Sequence, residues 1–126
     1  MDMNQIYLLL NAGLYMLFAL WCALKPETTS RFLGFSLANR AGKSEFIAVY
    51  GGLELGLSLF FLVGALYMEW RDAAILFAAI IYLCISLFRI GAFIRFGITA
   101  DATRVLAVSE WVVAVWGILL AYPLLG

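Results

Sequence analysis

Four apolar runs, each long enough to cross a lipid bilayer, leave this chain little choice of fold. They cover Ile6–Leu24, Phe46–Tyr67, Ala73–Ile94 and Val105–Leu125, and a spanning helix needs about 20 mainly apolar residues. Of the 126 residues, 66% are hydrophobic and 13% charged. A soluble domain is nearer half apolar and a quarter charged. So small a protein exposes too much surface to hide that excess in a core, and lipid is the expected solvent for most of it. The reading is an all-α, integral-membrane four-helix bundle, with residues 1–126 forming one domain. The first run follows no Lys or Arg and precedes no small-x-small cleavage site, so it reads as a retained span and not a leader.

The connections carry the punctuation. Pro26 ends the first span, since proline cannot continue a helix and restricts the residue before it. Residues 26–44 are the longest connection. Pro26 and Glu27 suit the start of a short helix. Phe32, Leu33, Phe35 and Leu37, interleaved with Arg31 and Arg40, suit either a segment in the headgroup region or an ordinary loop. Ser44 reads as the N-cap of the second span, with Glu45 favourable to its dipole. Met68 to Asp72 reads as a tight turn, Gly97 as the end of the third span and Asp101 as the cap of the fourth. Lys25, Arg31, Arg40, Lys43, Arg95 and Arg104 share one side, against Arg71 alone on the other. The positive-inside rule then puts the 25–44 and 95–104 connections in the cytoplasm and both termini outside.

Charge recurs inside the spans at one level. At about 1.5 Å of rise per residue, Glu54 lies roughly 13 Å in from Glu45, while Arg89 and Glu110 each lie roughly 9 Å in from Arg95 and Arg104. A lone charge in the middle of a span costs about 2.5–3.5 kcal/mol or more. Arg89 is therefore expected to pair with one or both carboxylates, which a guanidinium can do through two parallel hydrogen bonds. The three carry formal charge −1, so one carboxyl is expected to hold a proton. Helical spacing puts Tyr50, Glu54 and Ser58 on one face, Tyr82, Ser86 and Arg89 on another, and Asn11, Tyr15, Phe18 and Cys22 on a third. Thr103, Glu110 and Gly117 line up on the last span. A bundle with a partly polar interior follows, with Asn11 as a helix-bridging amide. Gly52 and Gly56 form a small-xxx-small pair that would admit another helix. Cys22 and Cys84 fall inside spans and read as packing residues. The sequence contains no His and no CxxC, which removes imidazole ligation and most zinc chemistry, and no metal site is expected. Balanced charge points away from nucleic acid.

The run Ser44-Glu45-Phe46, followed by Val49-Tyr50-Gly51-Gly52-Leu53-Glu54-Leu55-Gly56, resembles a family of small bacterial membrane proteins designated domain of unknown function 4345. Trp21, Pro26, Arg89 with Gly91, and Glu110 also look like its pattern, and the resemblance extends over nearly the whole chain. It implies a four-span protein of the bacterial inner membrane and supplies no activity. A looser, fold-level likeness is to DoxX-like four-span proteins, by analogy alone.

Intramembrane ionisable residues are functional candidates by default. Glu54, Arg89 and Glu110, with Tyr50 and Tyr82 as hydrogen-bonding walls, are the expected site for a small amphiphilic ligand or a proton. The bilayer is the expected surrounding partner. The alternative is an accessory or scaffold subunit of a larger membrane complex, or a homo-oligomer, in which the charges fix helix register and Gly52 and Gly56 dock a partner. An acid–base enzyme using Glu54 and Glu110 is the weakest reading, since no nucleophile–base pair or phosphate loop is present. No cofactor can be named.

Overall fold

The computed structural model describes residues 1–98 and 101–126, and all of its regular structure is helical. Among the described residues, four helices are long and apolar enough to cross a membrane. Helix α1 spans Met3–Leu24, α2 Pro26–Phe32 and α3 Arg40–Phe46; a π-helical segment, Ile47–Leu53, leads without a break into α4, Glu54–Leu66. Helix α5 runs Met68–Phe96 and α6 Asp101–Ala121, followed by a 3-10 turn at Tyr122–Leu124.

Polar capping decides where several of these begin and end, and it moves three boundaries from their sequence-based positions. Asp2 caps α1 with its carboxylate accepting from Gln5 N–H. The second long helix is capped by Asn39 and not by Ser44: the Asn39 side chain accepts from Gly42 N–H at 2.8 Å, so the helix starts at Arg40. No turn of five residues separates the second and third long helices. Tyr67 alone, in extended conformation, joins α4 to α5, and Met68 to Asp72 are already helical. So short a link works because Arg71, only 8% exposed, folds back over the end of α4. Its guanidinium donates to the carbonyls of Gly64 at 3.2 Å and Ala65 at 2.8 Å. These are among the carbonyls that a helix C-terminus leaves without partners. Gly97, at φ 78°, ends α5 in a backbone region that disfavours other residues. Asp101, expected as the cap of the fourth span, is itself helical and serves as an acidic residue in the first turn of α6.

Helix α1 packs along α4, α4 lies against α5, and α5 packs along α6. The buried stripe of α6 is made of small residues, Ala107, Ala114, Gly117 and Ala121, and α5 matches it with Ala74, Ala78 and Ala79. Between apolar helices in lipid, such residues gain their effect by letting backbones approach. Gly117 lies under Tyr7, where a Cβ would stand 2.6 Å from the phenol oxygen, and a Cβ at Gly64 would collide with that of Ala74. Gly51 is buried against Ala19 and Ala23 of α1. Gly52 and Gly56, the pair singled out by spacing, are exposed, and a Cβ on either would meet nothing within 4 Å. The buried stripe of this helix passes through Gly51, Ser58, Phe61 and Ala65, so the pair lies one position off it and faces away from the chain's own helices.

The outer faces are apolar: Leu17, Phe88 and Ile94 are 69%, 82% and 82% exposed. Exposure on this scale is foreign to a monomeric water-soluble surface. Replacement of Gly117 by Ala is expected to lower stability by about 1–3 kcal/mol through overpacking against Tyr7. Gly56→Ala, on the open face, is expected to be neutral or stabilising by up to about 1 kcal/mol. Thermal unfolding of the two variants in one detergent compares them.

Candidate functional site

Two polar arrangements share the interior. The first ties α1 to its neighbours. Tyr7 donates its hydroxyl to the Val113 carbonyl of α6 at 2.8 Å, and its ring meets Trp116 edge-on at 5.0 Å. One turn along, Asn11 donates to the Tyr7 carbonyl at 2.7 Å and its oxygen accepts from the Tyr82 hydroxyl of α5. Ser58 of α4 donates to the Ala12 carbonyl at 2.6 Å. Tyr82 is thus both a wall residue and a structural donor, because its hydroxyl is engaged by Asn11. Spacing did not mark Tyr7, although it continues the Asn11–Tyr15 stripe by one more step of four residues.

The second arrangement is the charged one. Arg89 meets Glu110 in a two-pronged pair, Nε to Oε1 at 2.7 Å and Nη2 to Oε2 at 2.8 Å. This is the geometry that makes guanidinium–carboxylate pairs strong. It is partly buried, the two side chains being 28% and 15% exposed. Glu54 stays outside it. Among the described residues Glu54 makes no ion pair, and its buried Oε2 has no hydrogen-bond partner. The three charges expected to form one cluster are therefore a satisfied pair and a separate carboxyl group. The neighbouring helices α5 and α6 make the pair, and Glu54 belongs to α4, which packs beside α1 and α5.

A cavity of about 460 Å³ holds all of them. Glu54, Arg89, Glu110, Tyr50 and Tyr82 line it together, with Asn11, Tyr15 and Phe18 of α1 and Leu106 and Val113 of α6. The volume lies in the ordinary range of small-molecule sites, and the lining is mainly apolar with a few converging polar groups. Glu54 stands immediately after the π-helical segment that carries Tyr50, and such wide turns are rare and recur at functional sites.

Leu33 and Phe35, between α2 and α3, also line the cavity. Phe35 packs edge-on against Tyr50 at 5.5 Å, and Tyr50 stacks on Phe46 at 4.8 Å. The connection thus contributes a wall, which neither reading of residues 26–44 as a surface segment foresaw. Its two short helices are tied by Lys43 and Glu27 at 2.9 Å. The Lys43 hydrogen bond holds the Glu27 carboxyl below its usual range. A depressed carboxyl stabilises the folded arrangement above the ordinary value near pH 4.3, and that contribution is lost as pH falls through the lower folded value. An exposed pair is worth little globally, so the effect is local. Protection factors for amide exchange in residues 26–40 are expected to drop as pH falls through the lowered Glu27 range, with residues 54–66 unchanged. Lys43→Ala should show the lowered protection already at neutral pH.

Arg89→Gln strands the Glu110 carboxylate and is expected to cost about 2 kcal/mol or more, the usual consequence of breaking one side of a sheltered pair. Arg95→Gln, at the exposed end of α5, should be close to neutral. The double variant Arg89→Gln/Glu110→Gln should recover much of the loss. Unfolding midpoints of the four proteins decide this, and equal midpoints for Arg89→Gln and Arg95→Gln would remove the pair from any structural role.

No curated protein and no solved structure matches the chain. One family does, the one described as Domain of unknown function (DUF4345), over residues 3–121. The match runs from the first residue of α1 to the last of α6 and so takes in every wall of the cavity, and the chain belongs to this family.

Proposed function

We propose that this is a four-span protein of the bacterial inner membrane whose interior cavity binds a small amphiphilic ligand. The basic connections face the cytoplasm and both termini lie outside, a reading supported by Lys25, Arg31, Arg40, Lys43, Arg95 and Arg104 against Arg71. The observation that carries the binding role is the Glu54 carboxyl group, whose Oε2 is buried without a partner on the wall of a 460 Å³ cavity. A buried acceptor left unsatisfied costs about 1–3 kcal/mol. A ligand donating a hydrogen bond to it would recover that cost, whereas a purely structural cluster would be expected to enlist Glu54 as it enlists Glu110.

The second reading, an accessory subunit or homo-oligomer, draws on Gly52 and Gly56, which are exposed and unobstructed on one outer face. Intact mass of the protein in mild detergent separates the two. The binding role expects one small adduct per chain, lost in Glu54→Gln and kept in Arg95→Gln. A bare chain or bare oligomer, unchanged by Glu54→Gln, would refute it in favour of the second.

A further inference from the structure

The bundle is open on one side. Helices α1 and α4, α4 and α5, and α5 and α6 pack against one another. The remaining side, α1 against α6, is tied near one end by Tyr7, through Val113 and Gly117. Beyond that tie the cavity lies between the two helices, and its lining includes residues that also belong to the outer surface. Leu14 of α1 is 55% exposed and Ser109 of α6 is exposed, yet both line the same cavity as Glu54. Phe35 of the α2–α3 connection, 43% exposed, lines the cavity as well, and the α1–α6 seam is the mouth that lies within the long helices.

The depth of that mouth determines what can pass it. Leu14 precedes Leu24, the last residue of α1, by ten positions, which is about 15 Å along the axis. Ser109 lies five positions beyond Arg104, about 8 Å. A hydrocarbon core is about 30 Å thick, so in the proposed membrane setting the mouth faces acyl chains and not water. The charge inside is equally selective. Glu110 engages Arg89 through both of its oxygens and neutralises it, which leaves Glu54 as the carboxyl group of the layer without a partner among the described residues. The proton it is expected to hold without a ligand would pass to an entering amine, giving an ammonium–carboxylate pair. Leu14, Phe18, Leu106 and Val113 line the same cavity and give it apolar walls that suit an alkyl chain.

We infer that the cavity takes a single-chain amphiphile with a protonated amine head, admitted from the bilayer through the α1–α6 seam, with its head at Glu54 and its chain between the two helices. This deepens the proposed binding role and rests on it.

The test places the protein in phosphatidylcholine nanodiscs and measures retained adducts by native mass with dodecylamine, dodecanol and butylamine as probes. Dodecylamine is expected to be retained at one molecule per chain, and dodecanol about tenfold more weakly, the loss expected when a charge-assisted hydrogen bond becomes a neutral one. Glu54→Gln should weaken dodecylamine by a similar factor. Leu14→Trp, a bulky change at a half-exposed position, should weaken it by obstructing the mouth, and Ser109→Trp on the opposite lip gives a second variant should the first unfold. If butylamine binds as tightly as dodecylamine and neither lip variant matters, access from the bilayer is overturned while the interior site stands. Equal retention of dodecanol overturns the cationic head. Dodecylamine retention indifferent to Glu54→Gln overturns the inference at its root; the native adduct then decides separately whether the site binds anything else.

Discussion

A short chain of polar contacts holds α1 in place, and the remaining arrangement depends on it. Tyr7 reaches Val113 of α6, Asn11 reaches back to Tyr7 and accepts from Tyr82 of α5, and Ser58 of α4 reaches Ala12. Between helices surrounded by lipid the hydrophobic effect gives no preference for one neighbour over another, so close approach and interhelical hydrogen bonds choose the partner. All of these contacts involve α1, and they gather toward the end where Tyr7 sits over Gly117. Among the described residues no further hydrogen bond joins α1 to α6, and the cavity lies between the two helices beyond that tie.

The charged groups follow from the same geometry. Two carboxyl groups line the cavity with Arg89, and it takes the one on α6, the helix that packs along its own. A guanidinium with both prongs on one carboxylate has spent its most directional donors there, so Glu54 keeps an acceptor without a partner. An asymmetric site results, a neutral pair on one wall and a lone carboxyl group on another. That asymmetry distinguishes a place for a ligand from a cluster that closes on itself. The π-helical segment before Glu54 shifts the phase of the second long helix, so that Gly51 meets α1 while Tyr50 and Glu54 both stay on the cavity wall.

The connection between the first two long helices belongs to the site as much as the helices do. Phe35 reaches Tyr50, and Leu33 closes the lining beside it. An apolar residue in a connection can turn toward lipid, toward the headgroups or inward, and its spacing carries no preference among them.

The amino-acid sequence by itself determined the helical class, the four long apolar helices and the resemblance to the family, and its helical spacing marked Glu54, Arg89 and Glu110, which line one cavity. These depend on run length, on residues that interrupt helices and on rise per residue, all of them local quantities. The sequence also brought Tyr50 and Tyr82 to the same interior, because faces at a spacing of three or four survive any packing that buries one side. Only the tertiary structure decided which carboxylate Arg89 takes, that Gly51, Gly64 and Gly117 and not Gly52 and Gly56 meet the chain's own neighbours, and that α1 and α6 part around a cavity. Those outcomes turn on a rotation of one residue or on the order of helices around the bundle. A helical repeat leaves both undetermined, because neighbouring stripes on an almost wholly apolar helix differ by too little hydrophobicity for pattern to choose between them.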